Sequence, residues 1–164
     1  MSNYKMRQEG KKFIVDAMLG RLSRWMILLG YDAVYFRGQT DKELLEKALE
    51  EGRIIITRDT RLVENRPQKQ MLLIRSTQFW EQLRQVVEAF PMNFRDTILT
   101  RCSICSVLLE QVDLESMRGE IPIKAREQAT ELFRCPCCGH LYWDGTHPIH
   151  IMKQLKENLG NIFE

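Results

Sequence analysis

The sequence has no long apolar run, few histidines and almost no net charge. Its longest apolar runs, such as residues 25–29, fall far short of the roughly 20 residues that span a bilayer. The first dozen residues are polar and charged, so we expect neither secretion nor membrane insertion, and we expect a cytoplasmic location. A formal net charge of +2 gives no general argument for a polyanionic partner. With 164 residues, the chain can still bury a core of its own.

The charge is distributed unevenly along the chain. Residues 1–96 carry 17 basic and 13 acidic side chains, whereas residues 97–164 carry 7 and 9. A basic stretch between Arg53 and Arg75 could face phosphates, or it could be a solvated rim around strands. We therefore expect two domains, a larger one over residues 1–96 and a smaller one over residues 97–164.

Four of the five cysteines form two pairs with metal-ligand spacing. The pairs are Cys102 with Cys105 and Cys135 with Cys138. Each spacing lets one tight turn aim two sulfurs at the same ion, and Gly139 favours such a turn in the second pair. A closed four-thiolate shell predicts a structural zinc ion in a small C-terminal zinc ribbon. The 29 residues between the pairs exceed the commonest spacing, so we expect an insertion with a helix over residues 125–132.

The zinc site has three alternatives. A disulfide framework is disfavoured, because the number of cysteines is odd and nothing indicates secretion. Cys137 could replace Cys138 as a ligand. The histidines could also bind a metal, namely His140, His147 and His150.

Residues 13–90 alternate short apolar runs with longer amphipathic stretches, which is typical of a parallel sheet covered by helices. The predicted strands are 13–15, 33–36, 54–57 and 71–74. Apolar residues at helical spacing predict a helix that ends at Gly30, and residues 40–43 match a capping box that begins another. A helix follows the fourth strand. A last amphipathic helix near the end of the chain must dock on the main domain or on a partner. The predicted fold class is α/β.

Three aspartates follow the predicted strands. Asp16 ends the first strand, Asp41 opens the helix after the second, and Asp59 follows the third. Ligands of open parallel sheets lie outside the carboxyl ends of the strands, where these side chains would converge. Converging carboxylates need a hard divalent cation such as Mg²⁺ or Mn²⁺. Simpler roles exist for Asp41 and Asp59 as helix-terminus residues, whereas Asp16 abuts buried apolar residues and needs a partner.

Four arginines lie just after the acidic strand ends, where they could hold substrate phosphates or be solvated surface residues. They are Arg21, Arg24, Arg58 and Arg61.

Several linked motifs are similar to those of one known family. The motifs are FIVDAMLGRLSRWMILLGYDAVYF, TDKELLEKALEEGRIIITRD, the two cysteine pairs and LYWDGTH. Over roughly residues 12–155, the chain resembles the mut-seven C-terminal RNase domain family. The resemblance implies a PIN-like nuclease domain with a C-terminal zinc ribbon, an acidic divalent-metal site and an RNA substrate, with single-stranded DNA as an alternative. Motif matching transfers the family's acids onto Asp16, Asp41 and Asp59.

The chain departs from the PIN pattern at one place. A fourth acid commonly follows the fourth strand in that fold, but residues 75–78 are Arg-Ser-Thr-Gln, with Glu81 a turn further on. One or two ions therefore stay open as alternatives.

These observations predict a ribonuclease whose three aspartates hold Mg²⁺ or Mn²⁺. The alternative is a non-catalytic nucleic-acid-binding or assembly module, in which Trp143 could stack on a base instead of packing over the cysteines. Phosphatase chemistry is disfavoured, because Met18 stands where the second aspartate of an Asp-x-Asp motif would follow Asp16.

Overall fold

The computed structural model describes residues 10–65, 70–127, 129–145 and 147–160. Its first part is built on a parallel sheet of four strands in the order β2-β1-β3-β4. The strands are β1 (Lys12–Val15), β2 (Asp32–Tyr35), β3 (Arg53–Thr57) and β4 (Met71–Leu73). The helices of this part are α1 (Gly20–Leu28), α2 (Asp41–Glu51), α3 (Thr60–Asn65), α4 (Phe79–Ala89) and α5 (Phe94–Thr97). The strand and helix positions agree with the predictions to within one or two residues.

Local sequence signals set the helix boundaries. Thr40 Oγ1 accepts a hydrogen bond from the Glu43 amide, and Glu43 Oε2 accepts one from the Thr40 amide. This pair is the predicted capping box at the start of α2. A positive φ of 96° at Gly30 follows the end of α1. A Cβ there would stand 2.3 Å from the carbonyl oxygen of Thr97. Only glycine therefore lets the backbone at residue 30 approach the backbone at Thr97 this closely.

The sheet separates two apolar layers. Helices α1 and α4 cover one face, where the larger cluster includes Phe13, Val15 and Leu83. Helix α2 covers the other face, with Ile14 and Leu44 in a smaller cluster. Successive β1 residues thus point to opposite faces and both faces are buried, which explains the uninterrupted apolar strands.

The second part contains a three-stranded antiparallel sheet in the order β5-β6-β7. Its elements are β5 (Glu110–Val112), α6 (Leu114–Met117), α7 (Ile123–Arg126), β6 (Leu132–Arg134), β7 (Leu141–Trp143) and α8 (His147–Leu159). The predicted helix over residues 125–132 is wrong, because α7 ends at Arg126 and Leu132 begins a strand. Pairing of Leu132 with Val112 of β5 and Trp143 of β7 outweighs helical propensity at the end of that segment.

Helix α8 returns to the first part and packs against α4. Leu155 and Leu159 are buried in the larger apolar cluster, and burial of each contributes up to about 1.5–3 kcal/mol. The Arg84 guanidinium donates hydrogen bonds to the carbonyl oxygens of Asn158 and Leu159, so a cation stabilises the end of α8. The last helix therefore docks on the main domain, which was one of its two predicted positions.

The prediction of an α/β fold, with a parallel sheet flanked by helices and a C-terminal four-cysteine unit, is confirmed. A domain boundary at residue 96 stays a prediction. Across the ranges that the structure describes, no helix combines the length and apolarity of a membrane span.

Candidate functional site

The carboxyl edge of the parallel sheet carries Asp16 directly after β1. Its backbone amide donates to the carbonyl oxygen of Ile56, which extends the pairing of β1 with β3 by one residue. The carboxylate is partly exposed, and its Oδ2 accepts a hydrogen bond of 2.7 Å from the Thr57 hydroxyl. The buried strand end therefore provides the partner that the sequence required for this acid.

Thr57 connects two of the three predicted acids. It is fully buried at the end of β3. Its Oγ1 donates to Asp16 and accepts a hydrogen bond of 3.0 Å from the backbone amide of Asp59. This role is not predicted from the sequence, although a hydroxyl that ends a buried apolar strand is a signal, since it must find polar partners. Thr57 thus orients the side chain of Asp16 and the backbone of Asp59.

Asp59 also caps a helix. Its Oδ1 accepts hydrogen bonds from the amides of Arg61 and Leu62, at 2.8 and 3.2 Å, in the first turn of α3. The simpler interpretation of Asp59 as a cap is therefore observed. Among the described residues, Oδ2 of Asp59 has no hydrogen-bond partner, as is also true of Oδ1 of Asp16. Each carboxylate keeps one oxygen available for another ligand.

Asp41 lies on the neighbouring connection. It is exposed in the first turn of α2, where the helix dipole favours a negative charge, and its side chain bonds to no described residue. In the described part of the chain, the only group of three or more candidate ligands close enough to share an ion is formed by cysteines. Thr57 thus links Asp16 to the backbone of Asp59, no side-chain bond joins Asp41 to a described residue, and the three-acid site stays a prediction.

The connection after β4 has no acid in residues 75–78 and is bonded to two carboxamides of α4. The Gln85 carboxamide accepts from the Arg75 amide, and the Gln82 carboxamide donates to the Ser76 carbonyl. Glu81 is exposed and lies 3.7 Å from the Arg84 guanidinium, three residues along α4. These contacts hold the connection in place without a carboxylate at the end of β4.

The four predicted phosphate-binding arginines have different surroundings. The Arg21 guanidinium lies 4.0 Å from the centre of the Phe79 ring. Arg24 and Arg61 are exposed, and Arg58 is partly exposed. None of the four forms an ion pair with a described residue. Phosphate binding by these side chains stays a prediction, as does their alternative as solvated surface residues.

The second candidate site is the cluster of four cysteine sulfurs. Its members are Cys102, Cys105, Cys135 and Cys138, and their sulfur atoms all lie within 4.8 Å of one another. Sγ of Cys102 is 3.7 Å from Sγ of Cys138. Tetrahedral zinc with bonds of about 2.3 Å would separate its sulfurs by about 3.8 Å, so the cluster could hold a metal ion such as zinc. Cys137 and the three histidines lie outside this group.

The two cysteine turns have the same backbone pattern. The Ser106 amide donates to the Cys102 carbonyl, as the Gly139 amide donates to the Cys135 carbonyl. Ser106 and Gly139 both have a positive φ, of 60° and 76°. Glycine was expected at this position for its conformational freedom. A serine in this conformation costs about 1–2 kcal/mol, so another interaction must hold it there.

That interaction joins the first cysteine turn to the parallel sheet. The buried Ser106 hydroxyl accepts a hydrogen bond of 3.1 Å from the Ala33 amide, on the outer edge of β2. The Arg101 guanidinium donates to the Gly30 and Ser106 carbonyls, at 2.9 and 2.7 Å. Asp32 lies 3.7 Å from Arg101 and 2.7 Å from Arg53. The cysteine unit thus covers an otherwise open sheet edge.

Tyr142 contacts the sulfur of a candidate ligand. Its hydroxyl lies 3.2 Å from Sγ of Cys102 and 3.1 Å from the Ser103 amide, which donates to it. Burial raises the pKa of Cys102, but hydrogen bonds from Tyr142 and from the Cys105 and Ile104 amides outweigh burial and lower that pKa to about 6. A lowered thiol pKa favours the thiolate that binds metals, whereas the hydrogen bond with Cys138 raises the pKa of Cys105.

The parallel sheet with its acidic carboxyl edge and the attached four-cysteine unit define a two-part α/β protein with two candidate metal sites. The family model of the Mut7-C RNAse domain matches residues 11–155. The chain therefore belongs to the Mut7-C RNAse domain family, a nuclease-like class. No curated protein and no solved structure matches the chain.

Proposed function

We propose that this protein is a divalent-metal-dependent ribonuclease whose active site is the carboxyl edge of the parallel sheet. The observation that carries the proposal is the Thr57 hydroxyl, which links Asp16 and Asp59 on adjacent strand ends. The free oxygens of these two acids, together with Asp41 on the next connection, are the hard ligands that Mg²⁺ and Mn²⁺ prefer. Membership of an RNAse domain family supports the same reaction.

The reaction adds water across a phosphodiester bond of RNA. A P–O bond forms to the water oxygen, one ester P–O bond breaks, and the leaving oxygen takes up a proton. A bound Mg²⁺ or Mn²⁺ would polarise the phosphate and make water a better nucleophile. The three acids would hold the cation in place, and Thr57 would keep Asp16 oriented toward it. The four arginines would bind the phosphates on either side of the cleaved bond. Single-stranded DNA is the alternative substrate, and the proposed location is the cytoplasm.

We also propose that the four cysteines bind one structural zinc ion. A complete thiolate shell leaves no position for a reactive water, so the ion acts in folding and not in hydrolysis. Arg101 and Ser106 form hydrogen bonds with the first part of the protein, so zinc binding would also stabilise the edge strand β2.

The experiment is cleavage of labelled single-stranded RNA in Mn²⁺ by the wild type and by Asp16→Asn. Asparagine keeps an oxygen that can accept the Thr57 hydrogen bond, so the fold and the zinc content should persist. We expect cleavage to fall by at least about a hundredfold, because the charge that binds the cation is lost. Asp96→Asn, an exposed acid on α5, is the matched control and should cleave as the wild type does. Unchanged cleavage by Asp16→Asn would refute the proposal.

A non-catalytic nucleic-acid-binding module is the second candidate. The absence of an acid in residues 75–78, and the use of Asp59 Oδ1 as a helix cap, favour it. RNA binding that survives chelation of Mg²⁺ and Mn²⁺, with no turnover in either ion, would support this function over hydrolysis.

A further inference from the structure

Three aromatic rings and one arginine form a cluster between α1 and α4, which we name the aromatic cluster. Its members are Arg21, Trp25, Phe79 and Trp80. Ring centres lie 5.6 Å apart for Trp25 and Phe79, 5.1 Å for Trp25 and Trp80, and 4.8 Å for Phe79 and Trp80. All three rings are only partly buried. The Arg21 guanidinium covers Phe79 at 4.0 Å from its centre.

The cluster lies beside the acidic edge of the sheet. Helix α1 begins at Gly20, four residues after Asp16, and α4 begins at Phe79, after the connection that follows β4. Both helices therefore start at the carboxyl edge and pack against each other. A substrate strand that passes Asp16 would meet the first turns of these two helices next.

The chemistry of the cluster suits a nucleobase with its phosphate. Every base has a π-face that can stack on an aromatic ring, and arginine stacked on a ring adds a cation to that surface. Arg21 and Arg24 are exposed and form no ion pair with a described residue, so both can also approach a phosphate. A base can stack on the planar guanidinium that Phe79 supports, whereas an apolar protein partner would have to bury that charge.

We propose that the aromatic cluster is a subsite that stacks a base of single-stranded RNA beside the scissile phosphate. This inference rests on the proposed ribonuclease function, since it concerns the substrate of the same site. Phe79 and Arg21 provide the stacking surface, and Trp25 and Trp80 support it from the side.

A similar contact at the opposite end of α4 provides a control. The Lys11 ammonium lies 5.2 Å from the centre of the Phe90 ring, which packs on Phe13 at 4.9 Å. This pair has the same cation and ring chemistry, but it lies where α4 ends and β1 begins, away from the acids. A general effect of losing a half-buried phenylalanine would therefore appear in Phe90→Leu as well.

The experiment uses the fluorescence of the full, zinc-loaded chain. The chain has three tryptophans, Trp25, Trp80 and Trp143. With Trp143→Phe, the signal comes from the cluster alone, and an added Asp16→Asn prevents cleavage of the probe. We titrate oligouridylate without Mg²⁺ or Mn²⁺, and in parallel an abasic oligomer with the same number of phosphates. We expect quenching by oligouridylate and little quenching by the abasic oligomer, because only bases stack.

Variants in that background test the assignment. We expect Phe79→Leu to weaken oligouridylate binding by about tenfold, and both Phe79→Tyr, which keeps a ring, and Phe90→Leu to bind as the parent does. Circular dichroism and zinc content check that each variant folds. Equal quenching by the two oligomers, or equal binding by Phe79→Leu and Phe90→Leu, would overturn the subsite. Binding is measured in a variant that does not cleave. A failed cleavage assay would therefore refute the ribonuclease proposal without deciding whether the aromatic cluster binds a base.

Discussion

The four-cysteine cluster and the acidic edge of the sheet are both candidate metal sites, yet they are assembled to different degrees. All four sulfurs of the first lie within 4.8 Å of one another. At the second, a threonine hydroxyl links Asp16 to the backbone of Asp59, and Asp41 lies on the next connection with no side-chain bond to a described residue. One site is organised by two local turns, and the other draws on three separate connections.

The difference follows from charge and from sequence distance. A thiol with a raised pKa, such as Cys105, is neutral and can approach another sulfur without an ion, whereas ionised carboxylates repel until a cation is present. The two cysteines of each pair also belong to one tight turn, so the fold of that turn alone brings their sulfurs close together. The acids depend instead on the order of strands in the sheet and on the conformation of each connection. The four sulfurs are thus already assembled, whereas the proposed acidic site would need a cation to bring its carboxylates together.

The largest expected effect comes from breaking the preformed site. Cys135 is buried and its sulfur belongs to the cluster, so Cys135→Ser should abolish stoichiometric zinc binding and unfold the C-terminal part. Zinc content by atomic absorption and the thermal melt measure this effect. Cys137→Ser is the control, because Cys137 is exposed and lies outside the group. Full zinc content in the Cys135 variant would contradict the assignment.

A smaller effect is expected when the Thr57 hydroxyl, which links Asp16 to Asp59, is removed. Thr57→Val keeps the shape of the buried side chain but loses the hydroxyl that contacts Asp16 and Asp59. We expect Mn²⁺ affinity to fall by about 10- to 100-fold, as for other residues that orient metal ligands. Zinc content should be unchanged. Mn²⁺ titration followed by electron paramagnetic resonance measures the affinity, and Thr57→Ser should restore most of it. Wild-type affinity in the valine variant would show that the hydroxyl does not organise the site.

The smallest effect concerns the contact between the two parts. Ser106→Ala loses the hydrogen bond to the Ala33 amide and keeps the strained positive φ, so it should destabilise the fold by about 1–3 kcal/mol. Ser106→Gly loses the same bond but relieves the strain, so we expect it to be about 1 kcal/mol more stable than the alanine variant. Urea unfolding of the zinc-loaded variants tests the order. An alanine variant as stable as the wild type would mean that the contact between Ser106 and Ala33 adds nothing to the free energy of unfolding.

Much of the fold was predictable because its signals are local. The four apolar strands, the capping box at Thr40 and Glu43, and the helix end at Gly30 all depend on neighbouring residues. The placement of Asp16 and Asp59 at one edge of the sheet followed from a topological rule, since parallel strands end at one edge.

Other features depend on distant partners that the sequence alone does not identify. The segment that leads to Leu132 has helical composition, yet β6 begins at Leu132 because β5 and β7 provide hydrogen bonds on both sides. The roles of Thr57 and Ser106 arise from contacts across 41 and 73 residues.

The central claim is that three acids close around a hard cation at the carboxyl edge of the sheet. A crystal structure of the zinc-loaded protein soaked in Mn²⁺, with anomalous data collected at the manganese edge, tests it most directly. We expect a manganese peak in contact with Asp16, Asp41 and Asp59. A structure with saturating Mn²⁺ and no peak at these side chains would contradict the account.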